Sequence, residues 1–206
     1  MNQKGKLKLL YAGIFLSLVS WVVEIVFGKY EMLSKGIWFI LNFGLFILAA
    51  CVLIIAYYNI KKYDKSFMLA FIFGIITIAA VIVKIVGLAI GKEGLISVVD
   101  IIIGIGAGSA PCFAIAGIRN TIAKGSNDRS FTIIESGKAI QWCFGVMDIL
   151  YSIALVLALL TWIFKLDTTT FASILNDFTE CLAVIGYGAF THFIWECTLI
   201  DEELGL

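Results

Sequence analysis

The most constraining feature of this sequence is a succession of long apolar runs, each bounded by short clusters of charged residues. A membrane-spanning helix needs about 20 mostly apolar residues, and the chain contains six runs of suitable length. They predict an all-α, polytopic membrane protein. Its six transmembrane helices are expected at roughly 8–28, 36–60, 66–91, 95–118, 138–164 and 171–199.

The predicted helices occupy most of the 206 residues, which indicates a single transmembrane helical-bundle domain over residues 1–206. Hydrophobic residues make up 61% of the chain and charged residues 15%, a composition that excludes a soluble globular domain. The formal net charge of zero gives no electrostatic reason to expect nucleic acid as a partner. The longest connection, from Arg119 to Lys138, is rich in Gly, Ser, Asn and Asp, and is expected to be a polar loop.

Lysine and arginine residues are unevenly distributed between the two ends of the predicted helices. Ten of them lie before or at the start of the first helix or in the second and fourth connections, whereas four lie in the first, third and fifth connections. Basic residues concentrate on the cytoplasmic side of membrane proteins. The distribution therefore predicts three helical hairpins in the cell membrane, with both termini in the cytoplasm.

Several polar residues lie inside the predicted helices at a similar depth, near the ends farthest from the cytoplasm. These residues are Glu24, Asn42, Lys84, Asp100, Asn176, Asp177 and Glu180. Ionisable residues inside a membrane are costly and usually mark a ligand or ion pathway. Because four carboxylates face one lysine, this layer predicts a ligand-binding pocket that favours a cation or a zwitterion with an amine. The alternative is a set of residues at the level of the lipid headgroups, with Lys84 and Glu24 as a plain ion pair.

Three tryptophans, Trp21, Trp38 and Trp162, lie near the same depth. Their rings can stack on a cationic ligand. An aromatic belt at the membrane surface is the more common arrangement for tryptophan, and the sequence favours it here.

The fourth predicted helix combines closely spaced glycines with Pro111, the single proline of the chain. Gly104 and Gly108 form a GxxxG pattern, which lets two helix backbones approach closely, and proline removes a backbone hydrogen bond. Close packing at the centre of the bundle is therefore expected, with a hinge as the alternative.

Asp148 and the single histidine, His192, predict a possible proton relay, although a packed, hydrogen-bonded histidine is the more common interpretation. One histidine cannot form a multi-histidine metal centre, and the five cysteines lack CxxC spacing. We therefore expect neither a metal site nor a cofactor.

Ser109 in the segment GAGSAPC and His192 in GYGAFTH resemble the pattern of rhomboid intramembrane proteases. The resemblance implies a serine nucleophile with a histidine base, which must lie within hydrogen-bond reach of each other. The predicted depths leave these two residues about two helical turns apart. The sequence therefore predicts no enzymatic activity and no catalytic residues, with a rhomboid-like protease as a remote alternative.

In size, helix number and predicted cytoplasmic termini, the chain is similar to the substrate-binding S components of energy-coupling-factor vitamin transporters. With the polar layer, this likeness implies a membrane protein that binds or transports a small cationic or zwitterionic solute through an outer-leaflet pocket. Other membrane or ATPase subunits are possible partners besides the lipid bilayer. The alternative is a non-catalytic membrane subunit or regulator of a larger complex. In that case the polar side chains of the helices would lie on the outside of the bundle, where they would contact partner helices.

Overall fold

The computed structural model describes residues 3–28, 35–122, 128–164 and 169–203. Helices cover 96% of these residues, and this part of the chain contains no strand. Helix α1 is Gln3–Val23 and continues as a π-helical turn, Glu24–Gly28. The other helices are α2 (Lys35–Ile60), α3 (Lys65–Ala89), α4 (Glu93–Ile122), α5 (Asp128–Phe164) and α6 (Thr169–Glu203). The predicted all-α class is confirmed.

Within the described ranges, five helices, α1 to α5, contain segments long and apolar enough to cross a membrane. Many of the exposed side chains are large and apolar, mainly Ile, Leu, Val and Phe, which suit contact with lipid tails. Helix α6 has 35 residues and carries more acidic and amide side chains than the others. The architecture fits an integral, multi-pass membrane protein.

The predicted polar loop from Arg119 to Lys138 is wrong over much of its length. Helix α4 continues to Ile122, and α5 already begins at Asp128. The first turns of α5 are helical because one of their faces packs: Ile133 is buried, and Gly137 lies against Arg119 and Phe193. The polar residues before position 138 therefore belong to α5, which begins before its apolar segment does.

Each helix packs mainly against its neighbours in the sequence, and α6 also packs against α1, so the helices form a closed ring. Neighbouring helices run in opposite directions. On α4, for example, Gly104 faces Tyr151 of α5, whereas Gly108, one turn later, faces the earlier residue Asp148. The predicted hairpins are neighbouring pairs in this ring, and α4 packs extensively against both α3 and α5.

The ring is filled by apolar side chains in the half that lies nearer to most of the lysines and arginines. This part of the interior contains Leu10, Ile14, Tyr57, Ile115, Phe144, Met147, Phe190 and Ile194, all fully buried. Phe144 contacts Tyr187 edge to face, with ring centroids 5.2 Å apart, a favourable geometry for aromatic pairs. The larger open space therefore lies in the other half of the ring.

Helix α4 packs closely against both α3 and α5, and its glycines allow this close approach. A Cβ atom on Gly104 would overlap the ring of Tyr151, and one on Gly106 would overlap Thr77 Oγ1. A Cβ atom on Gly108 would overlap Asp148 Oδ1. The expected close packing of these glycines is confirmed.

Pro111 lies fully buried in the interior of α4. Proline has no N–H to donate to the carbonyl four residues earlier, which here is Ala107. Tyr187 on α6 compensates, because its hydroxyl donates to the Ala107 carbonyl at 2.7 Å. This bond joins α4 to α6, which are not neighbours in the ring.

Candidate functional site

A cavity of about 830 Å³ lies in the half of the ring opposite the apolar filling. It is lined by the second halves of α1, α3 and α5 and by the first halves of α2, α4 and α6. Each helix contributes to the wall, for example through Trp21, Phe46, Lys84, Asp100, Tyr151 and Glu180. We call this space the outer cavity.

The outer cavity brings together five of the seven residues predicted to bind a ligand. These are Glu24, Lys84, Asp100, Asn176 and Glu180. Asp177 is exposed and is not part of the wall, because one residue along a helix is a turn of about 100° away from Asn176. The side chain of Asn42 lies outside the described residues. A role in ligand binding stays a prediction for all seven.

The basic group of the wall is engaged in an ion pair between neighbouring helices. Lys84 Nζ on α3 lies 2.5 Å from Asp100 Oδ1 on α4, with the two side chains 23% and 44% exposed. Lys84 Nζ also lies 5.4 Å from the centre of the Phe43 ring, within range of a cation–π contact. The ion pair thus holds α3 and α4 together at the level of the cavity.

The described part of the wall carries three carboxylates, Glu24, Asp100 and Glu180, against Lys84 as its basic residue. With all four groups ionised the wall is net negative. Glu180 is held by Asn176, which donates to its Oε1 at 2.6 Å. Because walls of low dielectric constant surround this excess charge, the outer cavity favours cations.

Tyr151 and Thr179 form part of the deep end of the outer cavity. Tyr151 is buried against Gly104, and both Tyr151 and Thr179 line the cavity. Thr179 donates to the Asn176 carbonyl at 2.8 Å. Sequence reasoning missed both residues, although Tyr151 lies three positions after Asp148, on the polar face of α5.

Two further polar residues meet deeper in the ring, where α4 and α5 pack. Ser109 Oγ donates to Asp148 Oδ2 at 2.8 Å. The other oxygen, Asp148 Oδ1, is buried and has no hydrogen-bond partner among the described residues. Ser109 is therefore the partner that the structure gives to Asp148.

His192 lies far from this pair. Its side chain is 75% exposed, and its Nε2 is 3.9 Å from Glu196 Oε1. The register between α5 and α6 is marked by Cys143 Sγ, which lies 3.6 Å from the Leu182 carbonyl. His192 is about 15 Å beyond Leu182 along α6, in the direction away from Asp148. The structure therefore does not bring His192 together with Asp148 or with Ser109, as a proton relay or a serine–histidine pair would require.

No three His, Cys, Asp or Glu side chains in the described part of the chain are placed to hold a metal ion. The outer cavity, with its excess of carboxylates and its aromatic wall, is thus the candidate binding site. Comparison of the chain with protein-family models, curated proteins and solved structures finds no match.

Proposed function

We propose that this protein crosses the membrane six times and binds or carries a small cationic or zwitterionic solute through the outer cavity. The observation that carries the proposal is one cavity of about 830 Å³ with three carboxylates, one lysine and several aromatic rings in its wall. Ligand sites for small molecules typically measure about 300–1,000 Å³ and place a few polar groups in an apolar wall.

Helix α6 is long enough to be the sixth span, since 35 residues extend over about 52 Å and the hydrocarbon core is about 30 Å thick. Its residues Asn176 and Glu180 line the outer cavity, so their side chains have a polar surrounding within the ring. In the orientation that the lysines and arginines favour, the outer cavity opens to the outside of the cell membrane.

The wall suits a ligand that carries an amine. An ammonium group can bind Glu24 or Glu180 while the aromatic faces of Trp21 and Phe43 favour a positive charge. A zwitterion adds a carboxylate, and Lys84 is the group that can receive it. Binding of a carboxylate would compete with Asp100 for the lysine.

The test is the thermal stability of the purified full chain in detergent, measured with ethylammonium, tetramethylammonium, glycine betaine or acetate. Ethylammonium and betaine should raise Tm, and acetate should not. Glu24→Gln and Glu180→Gln should each weaken the ethylammonium response at least about tenfold, since a charge-assisted hydrogen bond contributes about 1.5–3 kcal/mol.

Glu196→Gln is the matched control, because Glu196 is an exposed carboxylate on α6, far from the outer cavity. It should respond to ligands like the wild type. Lys84→Met should lower stability by leaving Asp100 without this partner, and should abolish the response to betaine. A wild type that no cation or zwitterion stabilises, or Glu24 and Glu180 variants that bind unchanged, would rule out the proposed function.

A further inference from the structure

A second cavity of about 40 Å³ lies deeper in the ring than the outer cavity. The two share Trp21 and Phe46 in their walls, so these two rings stand at the junction between them. Four residues with a hydroxyl group are part of the wall of the deeper space, Ser17, Tyr57, Thr77 and Tyr187. We call it the inner chamber. A water-sized group needs about 10–15 Å³ on this measure, so the inner chamber can hold about three.

Three of the four hydroxyls donate their single hydrogen to a backbone carbonyl. Ser17 Oγ donates to Gly13 at 3.0 Å, Thr77 Oγ1 to Phe73 at 2.8 Å and Tyr187 Oη to Ala107 at 2.7 Å. A hydroxyl has one hydrogen and two lone pairs, so each of these groups can now only accept. The hydroxyl groups of these three residues are therefore hydrogen-bond acceptors in a wall that is otherwise mostly apolar.

The fourth hydroxyl belongs to Tyr57, which is 0% exposed. Its Oη has no hydrogen-bond partner among the described residues. Because a buried hydroxyl without a partner destabilises the fold, its presence beside three committed hydroxyls indicates a site for a bound polar group.

We infer that the inner chamber binds a primary ammonium group, which reaches it from the outer cavity between Trp21 and Phe46. The inference rests on the proposed function and gives primary amines, among the proposed ligands, a second binding site beyond the outer cavity. An ammonium group has three N–H donors and no acceptor, which suits the three hydroxyls of Ser17, Thr77 and Tyr187 that can only accept. The faces of Trp21, Phe46 and Tyr57 favour its charge. Carboxylates are excluded because they only accept, and quaternary ammonium groups because they have no N–H to donate.

The test compares two cations on the full chain in detergent, methylammonium and tetramethylammonium, against sodium chloride at equal ionic strength. Methylammonium should raise the wild-type Tm with a saturable dependence on concentration, by preferential binding to the folded state. Tyr57→Phe and Thr77→Val should each raise the apparent Kd for methylammonium at least about tenfold. Both should leave the response to tetramethylammonium unchanged, because this cation binds in the outer cavity alone.

Tyr58→Phe is the matched control, since Tyr58 is the next residue on α2 and is 55% exposed. It should bind methylammonium like the wild type. If Tyr57→Phe does not fold, the methylammonium Kd of Thr77→Val alone tests the inference. This change replaces the hydroxyl by a methyl group of similar size.

The outcomes separate this inference from the proposed function. Suppose that Glu24→Gln weakens the response to tetramethylammonium, while Tyr57→Phe and Thr77→Val leave the response to methylammonium unchanged. This result overturns the inference and leaves the proposed function standing. A change in unliganded Tm with an unchanged methylammonium Kd means that the chamber holds only water, and also overturns it. A wild type that responds to neither cation overturns both.

Discussion

At the scale of single residues, Tyr187 shows how one side chain makes a buried proline tolerable. Pro111 leaves the Ala107 carbonyl without its helical partner in the interior of the ring, and the Tyr187 hydroxyl supplies the missing donor at 2.7 Å. Both residues are buried, so the bond lies inside the ring and away from bulk solvent. The proline and the tyrosine therefore act as a pair, although they lie on different helices.

Tyr187→Phe should lower the free energy of unfolding by about 1–3 kcal/mol, because it leaves a buried acceptor unsatisfied. In a Pro111→Ala background the cost should be much smaller, since the alanine N–H can donate to the Ala107 carbonyl. A double-mutant cycle, followed by thermal or denaturant unfolding in detergent, measures this coupling. Equal costs in both backgrounds would show that the hydroxyl acts in another way.

The depth of each polar residue of the site could be predicted from the sequence, whereas the side chains that it contacts could not. Depth along a helix follows from its fixed rise per residue, which is enough to place Glu24, Asp100 and Glu180 in one layer. Partners depend on the register between helices, which a single sequence does not contain. For this reason Ser109 was linked to His192, while the structure pairs it with Asp148.

At the scale of elements, α4 is the helix that its neighbours constrain most. Its glycines at 104, 106 and 108 touch side chains of α3 and α5, so that three helices approach each other closely. The sequence indicated this through the GxxxG pattern. It did not indicate which aromatic residues would meet α4, because Phe and Tyr at helical spacing are equally typical of a core and of a lipid-facing surface.

Gly104→Ala and Gly108→Ala should each destabilise the protein by about 1–3 kcal/mol, the usual cost of overpacking. The added methyl groups overlap Tyr151 and Asp148, so these side chains would have to shift. Gly145→Ala is the control, because nothing lies within 4 Å of the new atom. It should be neutral or stabilising by up to about 1 kcal/mol through helix propensity. Thermal stability in detergent ranks the three variants, and equal effects would contradict the packing described for α4.

The ends of the helices were predicted well where charge clusters coincide with real turns, as between α2 and α3. There Asp64 caps α3 by accepting from the Ser66 N–H at 2.8 Å. The beginning of α5 was predicted ten residues too late, at 138 instead of Asp128. Its first turns are held by tertiary contacts of Ile133 and Gly137, which override a polar local composition.

At the scale of the whole molecule, the two halves of the ring differ in content. One half is filled with apolar side chains, and the other surrounds the outer cavity. Most lysines and arginines lie at the filled end. Orientation in the membrane therefore decides to which side the outer cavity opens, and it can be measured without knowing any ligand.

Reporter fusions at Lys62, Ser126 and Leu206 should report the cytoplasm, and fusions at Met32, Glu93 and Thr169 the outside. The reason is the excess of basic residues around Lys62 and Ser126, and Leu206 lies on the same side if α6 is the sixth span. An external Ser126 would reverse the proposed direction of the outer cavity. An external Leu206 with an internal Ser126 would mean that α6 does not span the membrane.

Closure of the ring by α6 has a consequence for the order of events during biosynthesis. Helix α6 leaves the ribosome after α1 to α5, yet it supplies the wall that carries Asn176 and Glu180. The earlier helices are apolar enough to partition into lipid individually, whereas α6 enters most favourably when an assembled partner surface receives its polar face. Under the proposed function, binding competence therefore arises when α6 is inserted. A solute present during translation should act as a pharmacological chaperone, raising the yield of inserted protein.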